Sequence, residues 1–149
     1  MSVTDLTTTY MGMKLRSPII LASAGPSATA ELIKRAEDMG VGAVAMKGTY
    51  DVAAMWQSPT PRFRVIRRKL GTHASSTFYC YEQGTGITAD EYPREIERAK
   101  RACSIPIFAN IVCQDLANWQ KFVRSSQDAG ADAIEVNVSC PHGSLTTVG

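Results

Sequence analysis

Short apolar runs alternate with amphipathic stretches along this chain, and the alternation predicts strand–helix units. Residues 18–23 and 43–47 are two such runs, of the kind that forms strands buried on both faces. Between them the spacing predicts a helix from about Thr29, with Gly40 after its end. Its apolar stripe is Leu32, Ile33, Ala36 and Met39, and the charged residues off that stripe are Glu31, Lys34 and Glu37.

A second helix is predicted shortly before residue 100. Thr88 can begin it, because Thr88 and Glu91 have capping-box spacing. Asp90 is an equally good start, because Pro93 then falls in the first turn, where its missing N–H costs nothing. The apolar stripe of this helix is Ile96, Ala99 and Cys103.

The same pattern recurs in the last third of the chain. Residues 105–110 predict a strand that ends in Asn110, and residues 133–137 predict another. Asp115 can cap the helix between them, and Gly130 ends it. The predicted buried stripe of this helix is Leu116, Trp119 and Val123.

Two segments depart from this alternation. Residues 6–9 and 14–15 flank Gly12 and predict a small hairpin before the main fold. Residues 48–87 lack a regular pattern, and because a connection of this length is usually functional, we interpret it as a lid or a pocket-forming excursion. Basic residues cluster at 62–69, which indicates a solvated face or, as an alternative, a basic lid over an anionic substrate.

Polar residues at the ends of four predicted strands decide the fold class. Parallel strands bring their carboxyl ends to one rim, as in a barrel active site. An open doubly wound sheet is the alternative, but no G-x-G-x-x-G follows the first strand. We therefore predict an α/β fold in which residues 1–149 are the N-terminal half of one TIM (β/α)8 barrel domain, with about four β/α units after the hairpin, because such barrels take about 250 residues. The four strand-end residues are Ser23, Lys47, Asn110 and Asn137.

Composition narrows the class of protein. A content of 44% hydrophobic and 20% charged residues is ordinary for a globular protein, and a formal net charge of +2 gives no broad basic surface for nucleic acid. No apolar run approaches the roughly 20 residues of a membrane span. Residues 1–10 are polar and do not resemble a signal peptide or an anchor. We therefore expect a cytoplasmic protein that binds neither nucleic acid nor membrane.

The cysteines and histidines do not form a metal-ligand pattern. No two cysteines have C-x-x-C spacing, and both histidines are isolated, so we expect reduced thiols and no metal site. The residues concerned are Cys80, Cys103, Cys113, Cys140, His73 and His142.

The strongest candidate chemistry lies at residues 134–143. The first half of this stretch predicts a strand, and its second half predicts a loop, because Pro141 and Gly143 interrupt regular structure. Asn137 and Cys140 therefore follow the carboxyl end of a strand, where α/β enzymes bind their substrates.

Residues 5–14, 22–23, Lys47 and 137–141 resemble the dihydroorotate dehydrogenase family of flavin-dependent barrels. The Asn-x-Ser-Cys-Pro motif at 137–141 is fairly specific. Its continuation into His142 and Gly143 is closer to the dihydropyrimidine dehydrogenase branch of that family. The resemblance covers the whole chain but only the first half of the family's barrel.

The resemblance implies an FMN-dependent oxidoreductase of pyrimidine metabolism that acts on a CH–CH bond of a cyclic amide. Cys140 would be the general acid or base at one substrate carbon, while hydride passes between the adjacent carbon and the flavin N5. Lys47 and Asn137 would also bind the substrate. The residues that would bind FMN are Ala22, Ser23, Lys47, Gly48, Asn110 and Asn137.

One departure from the family concerns the substrate. Orotate-forming members grip their substrate with a Gly- and Asn-containing loop after the second strand, and this loop is not recognisable at 72–88, where residues 79–84 differ. The substrate is therefore open between dihydroorotate, a dihydropyrimidine and another small cyclic amide. We expect a homo-oligomer, with an electron-transfer subunit as an additional partner.

Two other functions remain open from the sequence. In a non-flavin barrel, such as an isomerase or aldolase, Lys47 would be the reactive amine. Alternatively, the half-barrel could be catalytically silent. Structural roles are also open for the individual residues: Cys140 as an inert thiol, Lys47 as a solvated lysine, and both asparagines as turn caps.

Overall fold

The computed structural model describes residues 4–51, 63–70, 73–80 and 84–138. Its centre is a parallel sheet flanked by helices. The strands are β1 (Thr8–Tyr10), β2 (Met13–Leu15), β3 (Ile20–Leu21), β4 (Ala43–Ala45), β5 (Thr49–Tyr50), β6 (Phe63–Leu70), β7 (His73–Cys80), β8 (Ile107–Val112) and β9 (Ala133–Val136). The helices are α1 (Ala30–Asp38), α2 (Tyr92–Ala102) and α3 (Leu116–Asp128).

Strands β3, β4, β8 and β9 lie side by side in chain order, and each pairs with the next in parallel. One helix connects each successive pair. Adjacent parallel strands joined by helices are the repeating unit of the (β/α)8 barrel. The predicted α/β class, a partial TIM barrel with a small N-terminal hairpin, is confirmed.

The two faces of the sheet have different neighbours. The outer face packs on the helices through a cluster that includes Val44 and Ile107 of the sheet and Ile33 and Ile96 of the helices, all fully buried. On the inner face, Leu15 from the β1–β2 hairpin packs against the first residues of the strands. The hairpin therefore covers the amino end of the inner face and leaves polar residues at the carboxyl end. The inner-face residues packed on Leu15 are Ala43, Ala45 and Phe108.

The predicted boundaries of α1 and α3 are confirmed, whereas α2 begins at Tyr92, later than the predicted starts at Thr88 and Asp90. The Thr29 side chain accepts a hydrogen bond from the Leu32 N–H at the start of α1, and Asp115 accepts one from the Asn118 N–H at the start of α3. Gly40, with a φ of 99°, follows the end of α1, where the left-handed conformation favours glycine. These short-range signals are local chemistry and do not depend on the rest of the fold.

The predicted pattern of buried residues was wrong in three segments. Ile19 is 61% exposed, because β3 lies at the edge of the described sheet and has one neighbouring strand instead of two. In α1, Met39 is 86% exposed, whereas Glu37 is buried. In α3 the stripe is rotated: Leu116 is exposed, Trp119 and Val123 are half-buried, and the buried residues are Phe122 and Ser126.

The predicted absence of regular structure between residues 48 and 87 was also wrong. Strands β6 and β7 form an antiparallel ribbon of eight residue pairs, from Phe63–Cys80 to Leu70–His73. The consecutive basic residues 67–69 break the two-residue alternation that would have indicated a strand. The ribbon follows β5 in the chain, and its role as a lid stays a prediction.

The Glu37 side chain is buried, and we expect the free energy of unfolding to depend on its carboxylate. Burial alone would raise its pKa, but hydrogen bonds from the Ser104 hydroxyl and N–H and from Lys34 outweigh burial and lower the pKa to about 2. A lowered folded-state pKa stabilises the fold above pH 4.5, and that stability is lost as the pH falls towards 2. We expect Glu37→Gln to lower the free energy of unfolding by roughly 1–3 kcal/mol at pH 7.

The test is urea unfolding of both proteins between pH 7 and pH 3, where the difference should shrink by more than half. Asp38→Asn is the matched control, because Asp38 binds the same Lys34 ammonium at 2.7 Å but is exposed. The control should cost less than about 0.5 kcal/mol. Equal losses for the two variants, or a loss from Glu37→Gln that does not depend on pH, would contradict the assignment.

Candidate active site

A β-bulge lies at the carboxyl end of the sheet, between β4 and β5. Both strands pair with the same edge of β8, since β9 occupies the other edge. Ala45 pairs with Phe108, and Thr49 pairs with Ile111. Three residues therefore lie between the two pairs on the β4–β5 side, but only two lie between them on β8. The extra residue breaks the regular ladder at residues 46–48 and lets the backbone there face other partners.

The backbone N–H groups of the bulge point towards the chain that follows β3. The Gly48 N–H donates to the Ser23 hydroxyl oxygen at 3.0 Å, and the Lys47 N–H donates to the Ser27 carbonyl at 2.9 Å. Ser23 keeps its own hydroxyl proton to donate elsewhere. Three of the predicted site residues, Ser23, Lys47 and Gly48, are therefore held together by the bulge.

Asn110 lies directly beside Gly48. A methyl group added at Gly48 would come within 2.5 Å of the Asn110 Oδ1 atom, so only glycine leaves room for this amide. The Asn110 Nδ2 group donates to the Glu135 carboxylate, which can only accept and so fixes the amide orientation. Oδ1 is then buried without a hydrogen-bond partner among the described residues.

The backbone of Asn110 has a partner outside the sheet. Its N–H donates to the hydroxyl oxygen of Tyr92 at 3.0 Å, and Tyr92 lies on the first turn of α2, 2% exposed. Burial raises the pKa of the Tyr92 phenol, which therefore stays neutral and hydrogen-bonding. Asn110 was predicted at the end of a strand, but β8 continues to Val112, so the amide projects from within the strand.

The other predicted residues are placed less completely. Ala22 is exposed, and its carbonyl accepts from the Ser27 hydroxyl at 3.0 Å. Lys47 is half-buried and lies in the bulge, two residues after Ala45 of the inner face. Asn137 follows β9, is half-buried, and its N–H donates to the Ile111 carbonyl at 3.0 Å. Cys140 lies outside the described residues.

Two residues of this cluster were not predicted. Glu135 interrupts an apolar strand in phase with Asn137, and that phase could have indicated a polar inner face. Tyr92 precedes Ile96 by four residues and could have been added to the α2 stripe. Nothing in the sequence indicates that its hydroxyl reaches β8.

Cys103 and Cys113 lack the lowered pKa of a reactive thiol. Cys103 is buried and Cys113 is half-buried, and neither forms a disulfide. Burial, followed by the nearby Asp51 and Asp115, raises the pKa of Cys113 to about 12, and burial also raises that of Cys103. Both thiols stay protonated at neutral pH, as expected for structural cysteines.

Neither a metal site nor a membrane span was found where the structure describes the chain. In those parts, no three Asp, Glu, His or Cys side chains are grouped as metal ligands. The helices described there are too short or too polar to cross a bilayer.

Comparison with known proteins decides the family. The family model for dihydroorotate dehydrogenase matches residues 5–147. The chain belongs to this family. The match spans the hairpin, the bulge and the described strands of the parallel sheet, so the described cluster lies within the family domain.

The relatives of this chain include both dihydropyrimidine dehydrogenases and dihydroorotate dehydrogenases. The chain is 30% identical over 146 residues to the chloroplastic dihydropyrimidine dehydrogenase (NADP(+)) of Arabidopsis thaliana, covering 93% of the chain and 34% of that protein. It is 30% identical over 139 residues to the NAD-dependent dihydropyrimidine dehydrogenase subunit PreA of Escherichia coli K12, covering 92% and 33%. It is 29% identical over 138 residues to the catalytic subunit of dihydroorotate dehydrogenase B (NAD(+)) of Methanosarcina mazei, covering 90% and 40%.

The chain thus spans 33% to 40% of the length of these relatives. Each relative is named as a dehydrogenase of a dihydropyrimidine or of dihydroorotate. The family assignment therefore confirms the resemblance seen in the sequence, whereas the activity of the whole protein is a matter for proposal.

Proposed function

We propose that the protein containing this chain is an FMN-dependent oxidoreductase acting on the CH–CH bond of a cyclic amide of the dihydroorotate or dihydropyrimidine type. The main observation behind the proposal is the bulge, which contains Lys47 and places the Gly48 backbone against the Asn110 side-chain amide. Family membership supports a dehydrogenase. Among the alternatives, it also argues against a non-flavin barrel isomerase or aldolase with Lys47 as the amine.

The chemistry of this cluster fits a flavin. Asn110 Oδ1 is a buried acceptor that has no partner in the described part of the chain. Such an acceptor costs about 1–3 kcal/mol, so a ligand N–H at this point would be bound favourably. The pyrimidine end of a flavin carries such an N–H between two carbonyl groups. The residues proposed to hold FMN are Ala22, Ser23, Lys47, Gly48, Asn110 and Asn137.

Lys47 is proposed to supply charge. Bound FMN would serve as the two-electron acceptor for the substrate. An ammonium group beside its pyrimidine end would favour the negative charge gained on reduction, and a half-enclosed position strengthens that interaction relative to water. Lys47 and Asn137 are also proposed to orient the substrate amide.

Cys140 is proposed to move the proton at one substrate carbon. The support for this role is the Asn-x-Ser-Cys-Pro motif, which follows β9 in the sequence, as catalytic residues of such barrels follow their strands. A thiol with an ordinary pKa of about 8.5 can act as acid or base near neutral pH.

The proposal extends to the partners, the substrate class and the cellular location of the protein. Two of the three relatives are named as subunits, which supports an electron-transfer partner for this protein; a homo-oligomer is proposed as well. A small-molecule substrate follows from the enzyme class. A cytoplasmic location is supported by the unpaired thiols of Cys103 and Cys113.

An absorption spectrum of the complete protein tests the proposal. We expect a yellow protein, or a colourless one that becomes yellow with FMN, whose absorption near 450 nm is lost on anaerobic addition of dihydroorotate or dihydrouracil. The substrate that bleaches the flavin identifies the branch. A protein that takes up no FMN would contradict the proposal and favour the catalytically silent half-barrel.

A further inference from the structure

In a regular sheet, the backbone N–H of Asn110 would donate a hydrogen bond to the neighbouring strand. The Met46 N–H donates to the Phe108 carbonyl, and in a regular parallel ladder the next bond would return from the Asn110 N–H to β4. The bulge at residues 46–48 interrupts this alternation. A buried N–H without a partner is rare and costly, so a replacement acceptor is needed.

We propose that Tyr92 is a positioning residue of the flavin site: its hydroxyl replaces the acceptor that the bulge removes and thereby fixes Asn110 under Gly48. This inference rests on the proposed function. Tyr92 is buried between α2 and the sheet and is not proposed to touch the flavin.

The phenol is well placed to fix β8. Ile96 and Ala99, on the same face of α2 as Tyr92, are both fully buried, so the packing of the helix sets the height of the hydroxyl above the strand. The bond to the Asn110 N–H is 3.0 Å long. Helix α2 therefore sets the position of a residue on the opposite side of the sheet.

Asn110 is fixed from three directions. Tyr92 accepts from its backbone N–H, Glu135 accepts from its Nδ2 group, and the Gly48 backbone lies against its Oδ1. The first two contacts use the backbone N–H and one of the two Nδ2 hydrogens, and Oδ1 is left without a hydrogen-bond partner among the described residues. Loss of the Tyr92 hydroxyl frees the strand backbone at this point and so shifts Oδ1.

The test compares Tyr92→Phe with Ile96→Val in the complete protein. Phenylalanine keeps the ring and removes only the hydroxyl, whereas Ile96→Val weakens the same helix face without touching Asn110. Two quantities are measured: the hydrogen-exchange rate of the Asn110 amide in FMN-free protein, and the dissociation constant of FMN from fluorescence titration.

For Tyr92→Phe we expect faster exchange at the Asn110 amide relative to its β8 neighbours, and an FMN dissociation constant raised about tenfold. For Ile96→Val we expect the β8 amides to change in parallel and the dissociation constant to stay within about twofold of wild type.

Unchanged exchange at Asn110 in Tyr92→Phe, or equal weakening of FMN binding by both variants, would overturn the positioning role. A wild-type protein that binds no FMN overturns the proposed function, and the positioning role with it. A wild-type protein that binds FMN, with a Tyr92→Phe variant that binds it equally well, overturns the role of Tyr92 alone.

Discussion

Gly48→Ala is expected to leave a folded protein that no longer retains FMN. The added methyl group would lie 2.5 Å from the Asn110 Oδ1 atom, far inside normal contact distance. Asn110 cannot easily yield, because Tyr92 and Glu135 hold its two donor groups. The methyl group would also occupy the space beside the acceptor that we propose for the flavin. We expect the FMN dissociation constant to rise at least about hundredfold, or about 3 kcal/mol.

The measurement is FMN titration of the apoprotein, with the thermal midpoint recorded in parallel. Gly86→Ala is the matched control, because an added methyl group there meets no atom of the described residues within 4 Å. The control should bind FMN as the wild type does. FMN binding by Gly48→Ala within threefold of wild type would show that the flavin does not depend on the Gly48–Asn110 contact.

Cys140→Ser is expected to retain flavin and lose most of its turnover. Serine has nearly the same shape as cysteine, but its hydroxyl is a far weaker acid than a thiol, so proton transfer at the substrate carbon would slow. General acid–base groups typically contribute 10²–10⁴-fold, and we expect turnover to fall within that range. FMN content should remain that of the wild type, because no flavin contact is assigned to Cys140.

Steady-state rates from pH 6 to pH 10 check this prediction. The wild-type rate should follow one ionisation that the variant lacks. Cys113→Ser is the control, because the pKa of Cys113 is raised to about 12 and its thiol has no assigned role. Turnover of Cys140→Ser that equals the wild type at every pH would remove Cys140 from the mechanism.

Local signals in the sequence were enough for much of the fold. The Thr29 and Asp115 caps, the two turn glycines after α1 and α3, and the apolar runs at 43–47 and 105–110 each depend on nearby residues. Repetition of these signals predicted the parallel sheet. The rim of polar residues was likewise predicted, because it follows from strand ends and chain direction alone.

The details of the site depend on contacts between distant residues, which periodicity does not report. The bulge is a difference in step between Ala45–Thr49 and Phe108–Ile111, two segments more than 60 residues apart in sequence. The Tyr92–Asn110 bond joins a helix to a strand and leaves no pattern in either. The burial of Glu37 depends on Ser104, 67 residues away.

The bulge also bears on how this protein could be engineered or could evolve. Stabilising designs favour idealised strands, and an automated redesign would tend to remove the surplus residue between Ala45 and Thr49. The resulting ladder would return the Asn110 N–H from the Tyr92 hydroxyl to the sheet. It would also withdraw Gly48 from Asn110 and Ser23. A more regular sheet would therefore be a more stable scaffold without the proposed FMN site, so the bulge is the feature that a redesign for activity would need to keep.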